Sequence, residues 1–239
     1  MAGTKALYSG VVLDASLETL RVLGHELRRP LTVIRGAATL LVDEANRLPP
    51  RSRTEMLTLI NASAAAMADL IDDLLVAVRL DSGDLPLTIE SVEISALVAD
   101  AVDAARQVAP DRAFRVSGPD GPVEEGLLVA VDREQALRAL RALLVNAVHF
   151  SPAETAVEVV VAAGPHVVNL LVLDRGPGIP VEQRERAFEK FIRLDQQAGG
   201  AGLGLFLARG LAQAMGGDVT VGDREDGGAA VCFTLRPRG

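Results

Sequence analysis

The sequence is poor in cysteine and in aromatic residues. Its 239 residues contain no tryptophan and one cysteine, Cys232. A single cysteine excludes a disulfide within the chain, and its place in the apolar run 230–233 predicts a buried strand residue. Aromatic residues make up only 3% of the composition, so the core must be built from Leu, Val, Ile and Ala, which a hydrophobic fraction of 49% supplies.

Long apolar runs and a surplus of positive charge are missing too. No stretch approaches the roughly 20 apolar residues of a membrane-spanning helix, and residues 1–5 lead into no secretory signal. These features predict a soluble, cytoplasmic chain without a membrane segment. The net charge of −8, with no basic cluster, predicts no nucleic-acid partner.

Apolar and small residues recur at intervals of four and three in the N-terminal third, as in a helix packed in a bundle. The first series is Leu13, Leu17, Leu20, Gly24, Leu27, Leu31, Ile34, Ala38 and Leu41. After the helix-breaking pair Pro49-Pro50, the second series is Leu57, Ile60, Ala64, Met67, Ile71, Leu74 and Val78. This pattern predicts an antiparallel helical hairpin, which a second copy would complete as a homodimeric four-helix bundle.

Short strand-like and helix-like segments alternate after the linker at 81–84. The predicted strands are 87–90, 113–116, 127–131, 156–161, 167–173, 218–221 and 229–235, and the predicted helices are 95–108, 133–150 and 202–215. This order indicates an α/β sandwich with helices on one face of a mixed sheet. The predicted domains are therefore 1–82 and 83–239.

His25 stands in a locally unfavourable part of the first helix. Gly24 occupies a position in the apolar series, at a cost of about 1 kcal/mol, and Pro30 interrupts the helix, at about 3 kcal/mol. Such violations tend to cluster at functional sites, and histidine can accept and pass on a charged group near neutral pH. A solvated histidine beside a tolerated kink remains the alternative unless the chain supplies a reactant.

Three clusters in the second half could form one nucleotide site. Asn146 offers an amide oxygen of the kind that Mg²⁺ prefers. Asp174, which follows a strand, could accept from an exocyclic amine, while Gly176 and Gly178 let the backbone pass close to a flat ring. The glycine-rich run 199–205 enters a helix, where exposed amides bind phosphate.

Each cluster alone has a plainer explanation. Asn146 could be an ordinary helix residue, and the glycines of 174–178 could serve a simple turn. The run 199–205 fits neither the phosphate-loop pattern nor the dinucleotide fingerprint.

Together the motifs resemble those of the sensor histidine kinases of two-component systems, over nearly the whole chain. The corresponding segments are 25–31 (phosphoacceptor box), 143–150 (asparagine box), 174–178 (first glycine box), 188–193 (phenylalanine box) and 200–205 (second glycine box). The resemblance implies an α+β chain: a dimerising, phosphotransferring helical hairpin followed by a Bergerat-type ATP-binding α/β sandwich.

The resemblance also implies the chemistry. His25 would attack the γ-phosphate of ATP, Glu26 would hydrogen-bond its imidazole, and an aspartate in the receiver domain of a response regulator would take the phosphoryl group. The implied ATP-binding residues are Asn146, which would also hold Mg²⁺, His149, Asp174, Gly176, Gly178, Arg193, Gly200, Gly202, Leu203 and Gly204. The stimulus would come from a sensor region outside this chain or from a separate sensor protein.

Four features depart from the family pattern. Ala142 replaces a second asparagine, His149 replaces a lysine or arginine near the phosphates, Arg29 replaces the Thr or Asn that assists dephosphorylation of the regulator, and the lid at 194–199 is short. Arg29 therefore predicts little phosphatase activity, and the lid predicts limited enclosure of the nucleotide.

Three other functions share parts of this pattern. An ATP hydrolase of the same fold would need a water-activating acid, which Ala142 cannot provide. A serine kinase of the anti-sigma type would not need the hairpin or His25. Ala142 and His149 favour a third alternative, a degenerate nucleotide-binding scaffold that works with a separate kinase partner.

Overall fold

The structure, a computed structural model, describes residues 2–44, 47–194 and 200–238, with side chains from residue 21 onward. It forms two compact units, Met1–Leu75 and Val76–Gly239. The first is helical and the second is an α/β domain, which confirms the predicted α+β class. The functional domain limits 1–82 and 83–239 stay predictions.

Two long helices occupy the N-terminal region, α1 (Ala2–Asp43) and α2 (Pro50–Ser82). Pro50 opens α2, a position where the missing proline N–H costs no helical hydrogen bond. Pro30 lies inside α1 as the sequence predicts. Within the described ranges, no helix combines the length and apolarity needed to cross a membrane.

The apolar series of the first unit is only partly buried in a single chain. Leu23 and Ala37 are buried, at 8% and 7% exposure, although neither belongs to the predicted series. Leu31, Leu57 and Ile71, which do belong to it, remain 46%, 58% and 46% exposed. The members Leu13, Leu17 and Leu20 lie outside the described side chains.

The second unit contains two sheets. Strand β1 (Glu90–Glu93) pairs antiparallel with β3 (Leu128–Val131). The main sheet has the order β2-β4-β5-β7-β6, from β2 (Phe114–Ser117), β4 (Val157–Ala163), β5 (Val168–Leu173), β6 (Asp218–Asp223) and β7 (Ala229–Leu235). Only β2 and β4 are parallel; the other neighbours are antiparallel.

Three helices cover one face of the main sheet, α3 (Ile94–Val108), α4 (Arg133–Phe150) and α5 (Gly204–Ala214), with α4 between the other two. Burial alternates along β4, β5 and β7, because one face of each strand packs on these helices. The core lies in this layer, and its large fully buried side chains include Phe233, Ile94, Leu97 and Leu140. Two single 3-10 turns, Val181–Gln183 and Arg186–Phe188, connect β5 to the later part of the domain.

The side chain of Asp132 caps α4 and also bonds to the segment before β1. Its Oδ1 accepts from the N–H of Gln135 at 3.1 Å, which caps the helix, and its Oδ2 accepts from the N–H of Thr88 at 2.8 Å. Thr88 lies before the strand, and the strand predicted at 87–90 is wrong by about three residues, because pairing with β3 begins at Glu90 and ends at Glu93. The limits of α4 and β7 agree with the predicted 133–150 and 229–235.

Candidate functional site

A buried acid stands at the end of β5. Asp174 is 7% exposed, and its Oδ1 accepts from the backbone N–H of Gly176 at 2.7 Å and of Ala229 at 3.1 Å. Within the described residues no hydrogen bond engages Oδ2. The carboxylate is therefore held in a fixed orientation with one oxygen left to accept from a ligand.

Glycines let three backbone segments meet around this acid. A Cβ on Gly176 would lie 2.7 Å from the carbonyl oxygen of Phe150, at the end of α4. A Cβ on Gly228 would lie 2.1 Å from the carbonyl oxygen of Asp174, and Gly228 has a φ of +108°. Gly178 has a φ of +73°, which only glycine adopts easily. In this structure Gly176 thus packs against the backbone of Phe150, whereas the sequence pattern predicts a place beside a flat ring.

Gly228 and Arg224, which belong to none of the sequence motifs, also lie against the backbone of Asp174. Gly228 has a recognisable signal, because a Gly-Gly pair between two strand patterns indicates a hairpin turn. Arg224 has no recognisable signal in the sequence. Its Nη2 donates to Glu158 Oε1 at 2.7 Å, and its backbone N–H donates to the carbonyl of Gly228 at 3.3 Å. Together they hold the β6–β7 turn against the end of β5.

The asparagine and the second glycine box meet directly. A Cβ on Gly204, the first residue of α5, would lie 3.1 Å from Asn146 Nδ2 and 3.2 Å from Oδ1. The absence of a side chain at Gly204 therefore makes room for the amide on α4.

Asn146 has the chemistry expected of a ligand to a nucleotide-borne ion. Among the described residues its half-buried amide has no hydrogen-bond partner, which leaves a hard oxygen available. The described residues as a whole contain no group of three or more His, Cys, Asp or Glu side chains that could hold a metal ion. Mg²⁺ commonly binds through one or two protein oxygens together with substrate phosphates and water, so a single amide fits such an ion.

The phenylalanine box adjoins the second glycine box. The N–H of Phe191, a residue with a φ of 63°, donates to the carbonyl of Gly202 at 2.8 Å. Gly202 has a φ of +68°, and its Cβ would lie 2.6 Å from the carbonyl oxygen of Ile192. Because a φ of +68° is incompatible with a right-handed helix, α5 begins at Gly204 and not at the predicted residue 202. Most of the predicted lid, 195–199, lies outside the described residues.

The remaining predicted ATP-binding residues differ in exposure. Gly200 is exposed, with a φ of +107° and open space at its Cβ position. The side chain of Leu203 is only 3% exposed and belongs to the core, so this residue could reach a ligand through its backbone alone. Arg193, the last residue of the phenylalanine box, is half-buried. His149 lies in the last turn of α4, where partial burial lowers the pKa of its imidazole, so it is neutral at pH 7.

His25 lies in the first unit with an acid beside it. Its side chain is 67% exposed, and its Nδ1 lies 3.4 Å from Oε1 of Glu26, whose side chain is 9% exposed. Arg29 approaches the other oxygen of this acid, with Nη1 3.8 Å from Oε2. The structure thus brings His25 and Glu26 into a long hydrogen bond and shows Arg29 on the same acid.

Two protein-family profiles match the chain. Residues 15–83 match the "His Kinase A (phospho-acceptor) domain", and residues 131–239 match "Histidine kinase-, DNA gyrase B-, and HSP90-like ATPase". These two segments contain His25 and the Asn146–Asp174–Gly204 region respectively.

Curated relatives resemble nearly the whole chain. The chain is 35% identical over 202 residues to the probable sensor histidine kinase TcrY of Mycobacterium tuberculosis. This alignment covers 82% of the chain and 41% of TcrY. The chain is 33% identical over 220 residues to the sensor histidine kinase TrcS of the same organism, covering 89% of this chain and 42% of TrcS. The chain therefore spans about two fifths of the length of these relatives.

Solved structures show the same fold. Full-length ShkA in complex with AMPPNP superposes with a TM-score of 0.61 at 28% identity, covering 93% of this chain and 46% of ShkA. The Acinetobacter baumannii histidine kinase AdeS superposes with a TM-score of 0.62 at 21% identity, covering 89% of this chain and 97% of AdeS.

Proposed function

The chain belongs to the sensor histidine kinases of two-component systems, and from this premise we propose that it is a homodimeric, Mg²⁺-dependent kinase that transfers the γ-phosphoryl group of ATP to His25. An aspartate in the receiver domain of a response regulator would then accept the group. The observation that carries the proposal is the exposed imidazole of His25, whose Nδ1 faces the carboxylate of Glu26.

This contact prepares His25 as a nucleophile. When Nδ1 carries the proton and donates it to Glu26, the ring lone pair resides on Nε2. Nε2 forms the new P–N bond while the bond from the γ-phosphorus to the β–γ bridging oxygen breaks, and ADP leaves with that electron pair. Glu26 stabilises the positive charge that develops on the ring.

The second unit supports ATP as the phosphoryl donor. Oδ2 of Asp174 can accept from the adenine amine, because Oδ1 is already held by two backbone donors. Gly204 lies against the Asn146 amide, which supports a place for the phosphates and Mg²⁺ between this amide and the start of α5. Mg²⁺ would neutralise phosphate charge during transfer. The bound nucleotide analogue of the related ShkA structure supports the same assignment.

The degenerate scaffold is the weaker alternative. A scaffold would bind nucleotide without transferring phosphate, and its support was limited to Ala142 and His149. The relatives described above are named as sensor kinases, which does not favour a scaffold.

Labelling with γ-labelled ATP tests the proposal. We expect Mg²⁺-dependent incorporation that is labile in acid and stable in alkali, as a P–N bond requires, and that EDTA prevents. Addition of a receiver domain should move the label to that domain. Absent label, or alkali-labile and acid-stable label, would contradict the proposal.

A second copy of the chain would cover the exposed apolar residues of the first unit. A self-complementary helical face of this kind is typical of two-fold dimers. We expect Leu57→Glu, at 58% exposure, to shift the protein from dimer to monomer in sedimentation velocity. Val181→Glu is the matched control, because Val181 is a 68% exposed apolar residue of the second unit. A monomeric wild type, or a Leu57→Glu variant that remains dimeric, would exclude this interface.

A further inference from the structure

Arg112 forms a clamp on the segment that follows α4. Its Nη1 donates to the carbonyl oxygens of Pro152 and of Thr155, the latter at 2.9 Å, and approaches Thr155 Oγ1 at 3.5 Å. Its Nη2 donates to the carbonyls of Val148 at 3.0 Å and Ser151 at 3.1 Å. One half-buried guanidinium thus satisfies four backbone carbonyls between residues 148 and 155.

This arrangement suits an arginine specifically. Val148 lies in the last turn of α4, where carbonyl oxygens have no helical donor. A cation there also interacts favourably with the negative end of the helix dipole. The planar guanidinium presents two donor groups in a fixed fork, whereas a lysine ammonium is a single point charge.

The segment held by Arg112 packs against the turn that follows β5, and this turn begins with Asp174, the candidate adenine-binding acid. Ser151 is 8% exposed, and its Oγ accepts from the N–H of Arg175 at 3.1 Å. The carbonyl of Phe150 is the group against which Gly176 is packed. Gly176 in turn donates its N–H to Oδ1 of Asp174. An unbroken series of contacts therefore leads from the Arg112 clamp to the Asp174 carboxylate.

We propose that Arg112 is a positioning residue of the ATP site, which sets the place of Asp174 through Ser151 and the end of α4 and thereby sets selectivity for the adenine base. This inference rests on the proposed function, since it assigns ATP to the same site. The described hydrogen bonds of Arg112 all lead to the segment 148–155, so the proposal gives it no direct contact with the nucleotide. Removal of the Arg112 side chain should therefore weaken the interaction with the adenine base more than the interaction with the phosphates.

Nucleotide selectivity in the full-length chain tests this role. We expect Arg112→Gln to weaken ATP binding about tenfold and GTP binding much less, so that the ATP/GTP affinity ratio falls about tenfold. Ser151→Ala should lower the ratio in the same direction by a smaller factor, because it removes the link to Arg175 alone. Competition against a fluorescent ATP analogue measures both constants.

The control is Arg133→Gln, which breaks the ion pair with Asp100 at the opposite end of α4 and should leave the ratio unchanged. A merely structural role for Arg112 would reduce binding of ATP and GTP equally. If Arg112→Gln does not fold, Arg112→Lys serves instead, and it should give an intermediate ratio.

An unchanged ATP/GTP ratio in the folded Arg112 variant would overturn the positioning role while leaving the kinase assignment intact. A wild-type chain that binds no ATP would overturn the kinase assignment and the positioning role together. The two failures are thus distinguished by the wild type alone.

Discussion

Replacing His25 by glutamine is expected to reduce acid-labile labelling by γ-labelled ATP to background and to leave ATP affinity unchanged. Glutamine has no ring nitrogen with a free lone pair, so no P–N bond can form. His25 also belongs to the first unit, whereas the residues assigned to the nucleotide belong to the second. Autoradiography and a binding titration on the same preparation measure both quantities.

The chain offers a sharp control for this experiment, because it contains only three histidines, His25, His149 and His166. His166 is exposed in the turn between β4 and β5, so His166→Gln should be labelled like the wild type. Label that persists in His25→Gln would assign the phosphoryl group elsewhere and contradict the mechanism.

Replacing Asp174 by asparagine is expected to weaken ATP binding by about 10- to 100-fold, the range for losing a hydrogen bond to a charged group. An asparagine oxygen at Oδ1 could still accept from Gly176 and Ala229, so the fold should be kept. Its amide NH₂ would then take the place of Oδ2 and present a donor to the donor amine of adenine. Calorimetric titration with ATP measures the loss.

GTP provides an internal control for Asp174→Asn. Guanine presents a carbonyl oxygen where adenine has its amine, so the new amide donor should disfavour GTP less than ATP. Thermal unfolding should remain close to that of Glu225→Gln, an exposed acid in the nearby turn. Wild-type ATP affinity in a folded Asp174→Asn protein would remove Asp174 from the base-binding site.

Local patterns predicted the elements whose sequence agrees with their surroundings. The limits of α4 and β7 agree with the sequence pattern, because α4 has a periodic apolar face and β7 is a short apolar run. The strand predicted at 87–90 lies instead at 90–93, where it pairs with β3, and Thr88 before it bonds to the side chain of Asp132, 44 positions away. Sequence periodicity reflects only residues a few positions apart, so it cannot reveal a contact between residues so distant in the chain.

The motifs identified His25, Asn146, Asp174 and the two glycine boxes, because their residue types and order are distinctive. Their physical roles were less visible. Gly176 and Gly202 approach the backbone of Phe150 and Ile192 too closely for a Cβ, and Gly204 lies close to the side-chain amide of Asn146. Those distances exist only after the chain has folded, so a glycine that faces backbone looks the same in the sequence as one that faces a ligand.

The sequence by itself determined the two-part architecture and the family and singled out His25 as the candidate phosphoacceptor, since these follow from spacing and side-chain chemistry. The tertiary structure alone decided how the candidate ATP site is held. Arg112, Arg224 and Gly228 lie far from Asp174 along the chain and belong to no motif, yet their contacts fix the segments around it. Their importance comes from backbone carbonyls brought together by folding, and a carbonyl carries no signature in an amino-acid sequence.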